Sequence, residues 1–87
     1  MLRRFWLEFA EKRHEGLPPG VRMGCGVTAT TEDKAIAIVR QRVFGGVELP
    51  TTRILVRDVD VSTLDPGHVR PNMGDPSIEG VWFPLGY

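Results

Sequence analysis

Apolar and polar residues alternate without a break from Val21 to Ala29. Val21, Met23, Cys25, Val27 and Ala29 fall on one face, and Arg22, Gly24, Gly26 and Thr28 on the other. A period of two over such a stretch predicts a strand with one buried face. Glycine inside a strand weakens it, and two stand here on the same side. The preferred reading is a bulky side chain, Trp6 or Trp82, lying flat over them. A groove for the backbone of a ligand is the alternative.

After Ala29 the period changes from two to between three and four. Thr30 or Thr31 can cap a helix by accepting from an amide two or three residues on. Glu32 and Asp33 put negative charge in its first turn, where the helix dipole favours it. Ala35, Ile36, Val39 and Val43 form one stripe, with Ile38 on its flank and Lys34, Arg40 and Gln41 facing away. Phe44 and Gly45-Gly46 end the helix.

The flanking segments fill in the rest. Phe5, Leu7 and Phe9 alternate with Arg4, Trp6 and Glu8, which predicts a first strand over 2–10 with the Phe/Leu/Phe face inward. Residues 11–20, with Pro18-Pro19-Gly20, form a loop across which the first two strands pair antiparallel. After a loop over 45–51, a third strand is predicted over 53–61. Ile54, Leu55 and Val56 are apolar on both faces, which suits a central strand covered on both sides, the second cover being the tail or a dimer mate. Residues 65–76 hold three prolines and two glycines and cannot form regular structure. Val81-Trp82-Phe83 then gives a short terminal strand that covers the sheet. The expected fold is α+β: one helix on a mostly antiparallel sheet of three to four strands, in the order β-β-α-β plus an irregular C-terminal segment.

Composition narrows the classes. The 87 residues suffice for a single domain, 1–87, with a marginal core. Eleven basic and eleven acidic residues give zero formal charge, against a general nucleic-acid binder and against docking on anionic membranes. Nucleic-acid binding through Arg3, Arg4, Arg40 and Arg42 is kept as a third reading. The single cysteine, Cys25, excludes a disulfide within the chain and reads as a small buried apolar residue. Glu8 interrupts the apolar start, so no signal peptide is expected, and no apolar run reaches membrane-spanning length. A cytoplasmic protein is the expectation.

Candidate chemistry concentrates in the C-terminal third. Asp58 and Asp60, two apart on a predicted strand, would project from one face, and His68 follows. Two carboxylates and an imidazole can do acid/base work or hold a divalent cation. The plainer reading is a solvated face paired with Arg53 or Arg57. Asp65-Pro66-Gly67 reads as a turn in which the carboxylate takes backbone amides. His68, Arg70, Asn72 and Asp75 are candidate contacts to a ligand or partner, though such side chains also serve the backbone of their own loop. Trp82, Phe83 and Tyr87 would form an aromatic partner patch or cover the sheet. His14 reads as a solvated loop residue. Gly24-Cys25-Gly26 lacks phosphate-binding spacing. No cofactor or metal site is expected.

Cys25-Gly-Val-Thr-Ala29, Asp58-Val-Asp-Val-Ser-Thr-Leu-Asp65, His68-Val69, Pro71-Asn-Met-Gly74 and Gly80-Val-Trp-Phe-Pro84 together resemble a family of small bacterial proteins of unknown function. The resemblance covers nearly the whole chain and implies a bacterial, cytosolic setting and a complete protein. It implies no activity, cofactor or catalytic residue. The leading functional expectation is a non-enzymatic protein-interaction module, accessory or immunity-like, using the open sheet face or the 65–80 loop, with a homodimer as one form of partner. The alternative is a small metal-dependent or acid/base enzyme using Asp58, Asp60 and His68.

Overall fold

A computed structural model describes residues 1–9, 23–46 and 52–84, apart from the side chain of Arg53. It holds β1 (Arg3–Phe9), β2 (Cys25–Ala29), α1 (Glu32–Arg42), β3 (Thr52–Arg57) and β4 (Gly80–Phe83). All neighbouring strands are antiparallel, in the order β3-β1-β2-β4. The chain is an α+β domain with one helix on a four-stranded sheet. The expectations for Val21, Arg22, His14, the 11–20 loop, residues 47–51 and Tyr87 lie outside the described residues.

The turn from β2 into α1 follows the sequence. Thr31 is the cap, its hydroxyl accepting from the Lys34 amide at 3.1 Å. At the far end the Gly46 amide bonds Arg40 O at 2.8 Å, with Gly45 at φ +63°, a conformation that costs glycine little. α1 packs over β2 and β4; β2 and β3, each antiparallel to β1, run parallel to one another with β1 between them.

The face under α1 holds Phe5, Leu7, Cys25, Val27 and Ala29 against Ala35, Val39 and Val43. Ile36, Ile38, Phe9, Phe44, Leu55 and Val81 close its margin. Each fully buried Val, Leu or Phe there contributes roughly 1.5–3 kcal/mol before entropy is subtracted. Met23 does not join this face: it precedes the strand and stands 38% exposed.

The opposite face is buried too, which period-two alternation did not foretell. All five residues of β2 are buried, Thr28 included. Residues 58–79 fold back over this face and enclose Trp6, Val59, Val69, Trp82 and Phe83. The two glycines make room for the tryptophans. A Cβ on Gly26 would lie 2.4 Å from two Trp82 ring carbons, and one on Gly24 would lie 2.7 Å from Trp6 Cζ2 and from Leu7 O. Gly24 also has φ +127°, where a side chain is strained. The indoles meet at 6.1 Å, and Trp6 lies 5.6 Å from Phe83. The glycine face is therefore a seat for two indoles.

Backbone and side-chain hydrogen bonds fasten the covering segment to the sheet. The Val59 amide donates to Arg4 O at 3.1 Å and the Gly74 amide to Trp82 O at 2.6 Å. The buried Thr28 hydroxyl donates to Pro76 O at 2.6 Å.

Candidate functional site

The predicted Asp58/Asp60/His68 constellation rests on a strand that is shorter than expected. β3 stops at Arg57, because Asp58 turns the backbone to φ +54°. Asp58 and Asp60 therefore do not share a strand face. Asp58 forms a fork with Arg3, Nε to Oδ1 at 2.9 Å and Nη2 to Oδ2 at 2.6 Å. The Arg3 hydrogen bond holds its carboxyl below the usual aspartate value.

Asp60 instead starts a single 3-10 turn, Val61–Thr63. Its Oδ1 accepts from the Ser62 amide at 3.0 Å and the Ser62 hydroxyl at 2.7 Å, which keeps it ionised to lower pH. Asp65 repeats the device, accepting from the Gly67 amide at 2.7 Å and the His68 amide at 3.1 Å. Asp75 repeats it again with the Ser77 amide at 2.8 Å and hydroxyl at 2.6 Å. Both carboxyls are lowered, Asp65 first by the Gly67 amide and Asp75 first by the Ser77 hydroxyl. These short side chains supply what a segment without helix or sheet lacks, namely partners for its own backbone.

The remaining candidates follow the same logic. His68 has a 74% exposed side chain whose Nδ1 lies 3.4 Å from Asp65 Oδ2. Asn72 Nδ2 donates to His68 O at 2.8 Å and braces the turn Arg70–Asn72. Trp82 is 2% exposed, so it is core and not a contact residue; its indole N–H has no acceptor among the described residues. Phe83 is core as well. No group of three or more His, Cys, Asp and Glu side chains gathers among the described residues. Cys25 is buried, and desolvation pushes its thiol up to about 12, far from a nucleophile's range.

Two concavities border the covering segment. One, of about 260 Å³, is lined by Arg3, Arg4, Thr28, Asp58 and Ser77 among others. Its polar groups are largely turned on each other, since Arg3 holds Asp58, Thr28 holds Pro76 O and Ser77 holds Asp75. The other, of about 670 Å³, is an apolar groove of Val61, Pro66, Pro71 and Met73 with Arg70 at its margin. The four arginines of the nucleic-acid reading divide: Arg3 and Arg4 lie on β1, with Arg3 already neutralised, while Arg40 and Arg42 lie in the last turn of α1.

The surface that sequence reasoning missed is the outer side of β3. Among the described residues this strand pairs with β1 alone, so it is an edge strand and not the central one expected. Ile54 and Val56 stand 38% and 39% exposed on it. Both lie on the face of Trp6 and Glu8, opposite those residues in the ladder, beyond the reach of the covering segment. Leu55, on the helix face, is half-buried. Arg57 closes the strand, its Nε 2.6 Å from Glu32 Oε1 at the start of α1. Among the described residues no helix is long and apolar enough to cross a membrane. In comparisons with protein-family models, with curated proteins and with solved structures, the chain matches none.

Proposed function

We propose that the chain is a non-enzymatic protein-interaction module, accessory or immunity-like, of a bacterial cytosol, and that it works by accepting an extended strand at the outer edge of β3. The observation that carries this reading is the exposure of Ile54 and Val56 on a strand that lacks an outer neighbour among the described residues. An edge strand offers a row of unpaired N–H and C=O groups to any chain that lies beside it. Strand addition draws affinity from that row and specificity from alternate side chains. Charge, proline and bulges blunt an edge; β3 has arginines at 53 and 57 and a register shift at its start, but its middle, Ile54-Leu55-Val56, carries neither charge nor proline. Asp58, Asp60, Asp65 and Asp75 are meanwhile engaged in turns and an ion pair.

The test uses tagged wild-type and Val56→Lys chains as baits in a bacterial extract. The wild type should capture a stoichiometric partner that Val56→Lys loses, while Asp58→Asn retains it. Val56 is exposed enough that its lysine variant should melt within about 0.5 kcal/mol of wild type. Equal capture by wild type and Val56→Lys refutes the edge as the binding surface.

A further inference from the structure

The two apolar clusters lie on opposite faces of the sheet and share no residue. One is closed by α1, an element with its own ladder of hydrogen bonds. The other is closed by residues 58–79, which hold no strand and no α-helix, only the 3-10 turns Val61–Thr63 and Arg70–Asn72. Of these residues Val59 and Val69 alone are buried, with Val61, Leu64 and Met73 partly buried against the same cluster. The Asp60, Asp65 and Asp75 turns close within a few residues, so they survive if the segment lifts as a body. The hydrogen bonds that reach the sheet come at its two ends, from Asp58 and Val59 and from Gly74 and Pro76.

We propose that residues 58–79 are a strap that opens as a unit, wetting Trp6 and Trp82 while α1 and the sheet stay folded. Folded chains open in contiguous units, and those with few buried apolar contacts open first. Opening returns conformational freedom to a whole irregular segment, against the loss of few buried side chains. It also relieves a cost of the closed form. With the strap down, the Trp82 indole N–H is buried with no acceptor among the described residues, and water supplies one when the strap lifts. β3 and β4 tether the strap at both ends, so it closes again onto the same face. The aromatic face of the sheet is thus conditional, in contact with solvent only when the strap is up.

The chain carries reporters for both clusters. Its two tryptophans lie under the strap, and its one cysteine lies under α1. Amide exchange on the intact chain, followed by NMR, is measured beside the labelling rate of Cys25 by a thiol dye. The amides of Val59, Val69, Asn72 and Gly74 should share one protection factor, at least about tenfold below those of Val27 and Val39, a gap of about 1.4 kcal/mol. Cys25 should be protected like Val27. In low urea the Val27 and Val39 amides should lose protection steeply and the strap amides little, because strap opening exposes less surface than unfolding. Val39→Ala then separates the two openings. Val39 belongs to the cluster that stays closed, so its truncation lowers the cost of global unfolding and leaves that of strap opening alone. Protection of Val27 and Cys25 should fall about tenfold or more, while that of Val59, Val69 and Gly74 holds. Equal protection of the two sets in the wild type, an equal urea dependence, or a parallel fall in Val39→Ala means that the chain opens only as a whole, and overturns the proposal. Strap amides that each exchange with a factor of their own overturn it as well.

Discussion

Replacing Gly26 with alanine tests the packing on which the covered sheet face depends. The new Cβ would stand 2.4 Å from two Trp82 ring carbons and 2.6 Å from a third. Ordinary carbon contacts lie at about 3.5–4.0 Å, so the indole must retreat by more than an ångström. It has little room to do so, being fully buried, against Trp6, with its carbonyl held by the Gly74 amide at 2.6 Å. Overpacking of this kind costs about 1–3 kcal/mol. Three close ring atoms on a rigid side chain put Gly26→Ala at the upper end, about 3 kcal/mol. For a domain of this size that lowers the melting temperature by about 12–24 °C. Gly45→Ala is the control. It has nothing within 4 Å but sits at φ +63°, so it bears only the left-handed penalty, about 1 kcal/mol. Urea and thermal unfolding followed by tryptophan fluorescence measure both. Trp82→Leu made in the Gly26→Ala background should recover part of the loss, a coupling of more than about 1 kcal/mol. If Gly26→Ala is no worse than Gly45→Ala, or the double variant is additive, the two-indole seat is not what holds the covering segment down.

Three further outcomes follow from the same structure. The carboxyls of Asp58, Asp60, Asp65 and Asp75 are all lowered in the folded chain, so the stability they contribute is present above the ordinary aspartate value, about 3.9, and is lost as pH falls through their folded values. Urea midpoints should be flat near neutrality and fall below about pH 4; Asp75→Asn, which keeps an acceptor for Ser77 but cannot titrate, should reduce that fall. Cys25, buried with its thiol raised to about 12, should be silent to a thiol-reactive dye in the native protein and react at once in denaturant. Asp58 has the positive φ that glycine and asparagine tolerate and β-branched residues do not; Asp58→Gly and Asp58→Val both lose the Arg3 pair, so Asp58→Val should melt clearly below Asp58→Gly by the backbone strain alone.

Part of this architecture is written locally in the chain. Thr31, the Glu32-Asp33 pair and the Ala35/Val39/Val43 stripe specify the helix through short-range rules of capping and periodicity, and the structure follows them. The pairing of β1 with β2 and the burial of an aromatic over Gly24 and Gly26 are also legible, because glycines at alternate positions leave room for a bulky neighbour. Strand order is not legible. Periodicity reports whether a face is apolar, not which strand lies beside it, and Ile54-Leu55-Val56 reads the same on a covered central strand and on an edge that lacks its partner. Nor does alternation show where a strand stops. Asp58-Val59-Asp60-Val61 keeps the period of two, yet the backbone reverses at Asp58 and Asp60 caps a turn. A signal for that was present: Asp60-x-Ser62, Asp65-x-Gly67 and Asp75-x-Ser77 share the spacing at which a carboxylate takes the amide two residues on. That spacing assigns these carboxylates to backbone turns, not to a catalytic group.

The central claim is that β3 presents an open edge, and amide hydrogen exchange on the isolated protein tests it most directly. In an antiparallel edge strand half of the amides bond inward and half face solvent. Across Ile54–Arg57, where the ladder with β1 is regular, the account predicts slow and fast exchange on alternate residues, with uniform protection in β1 and β2, which are flanked on both sides. Uniform protection along β3 would mean that its edge is already paired, and would contradict the account.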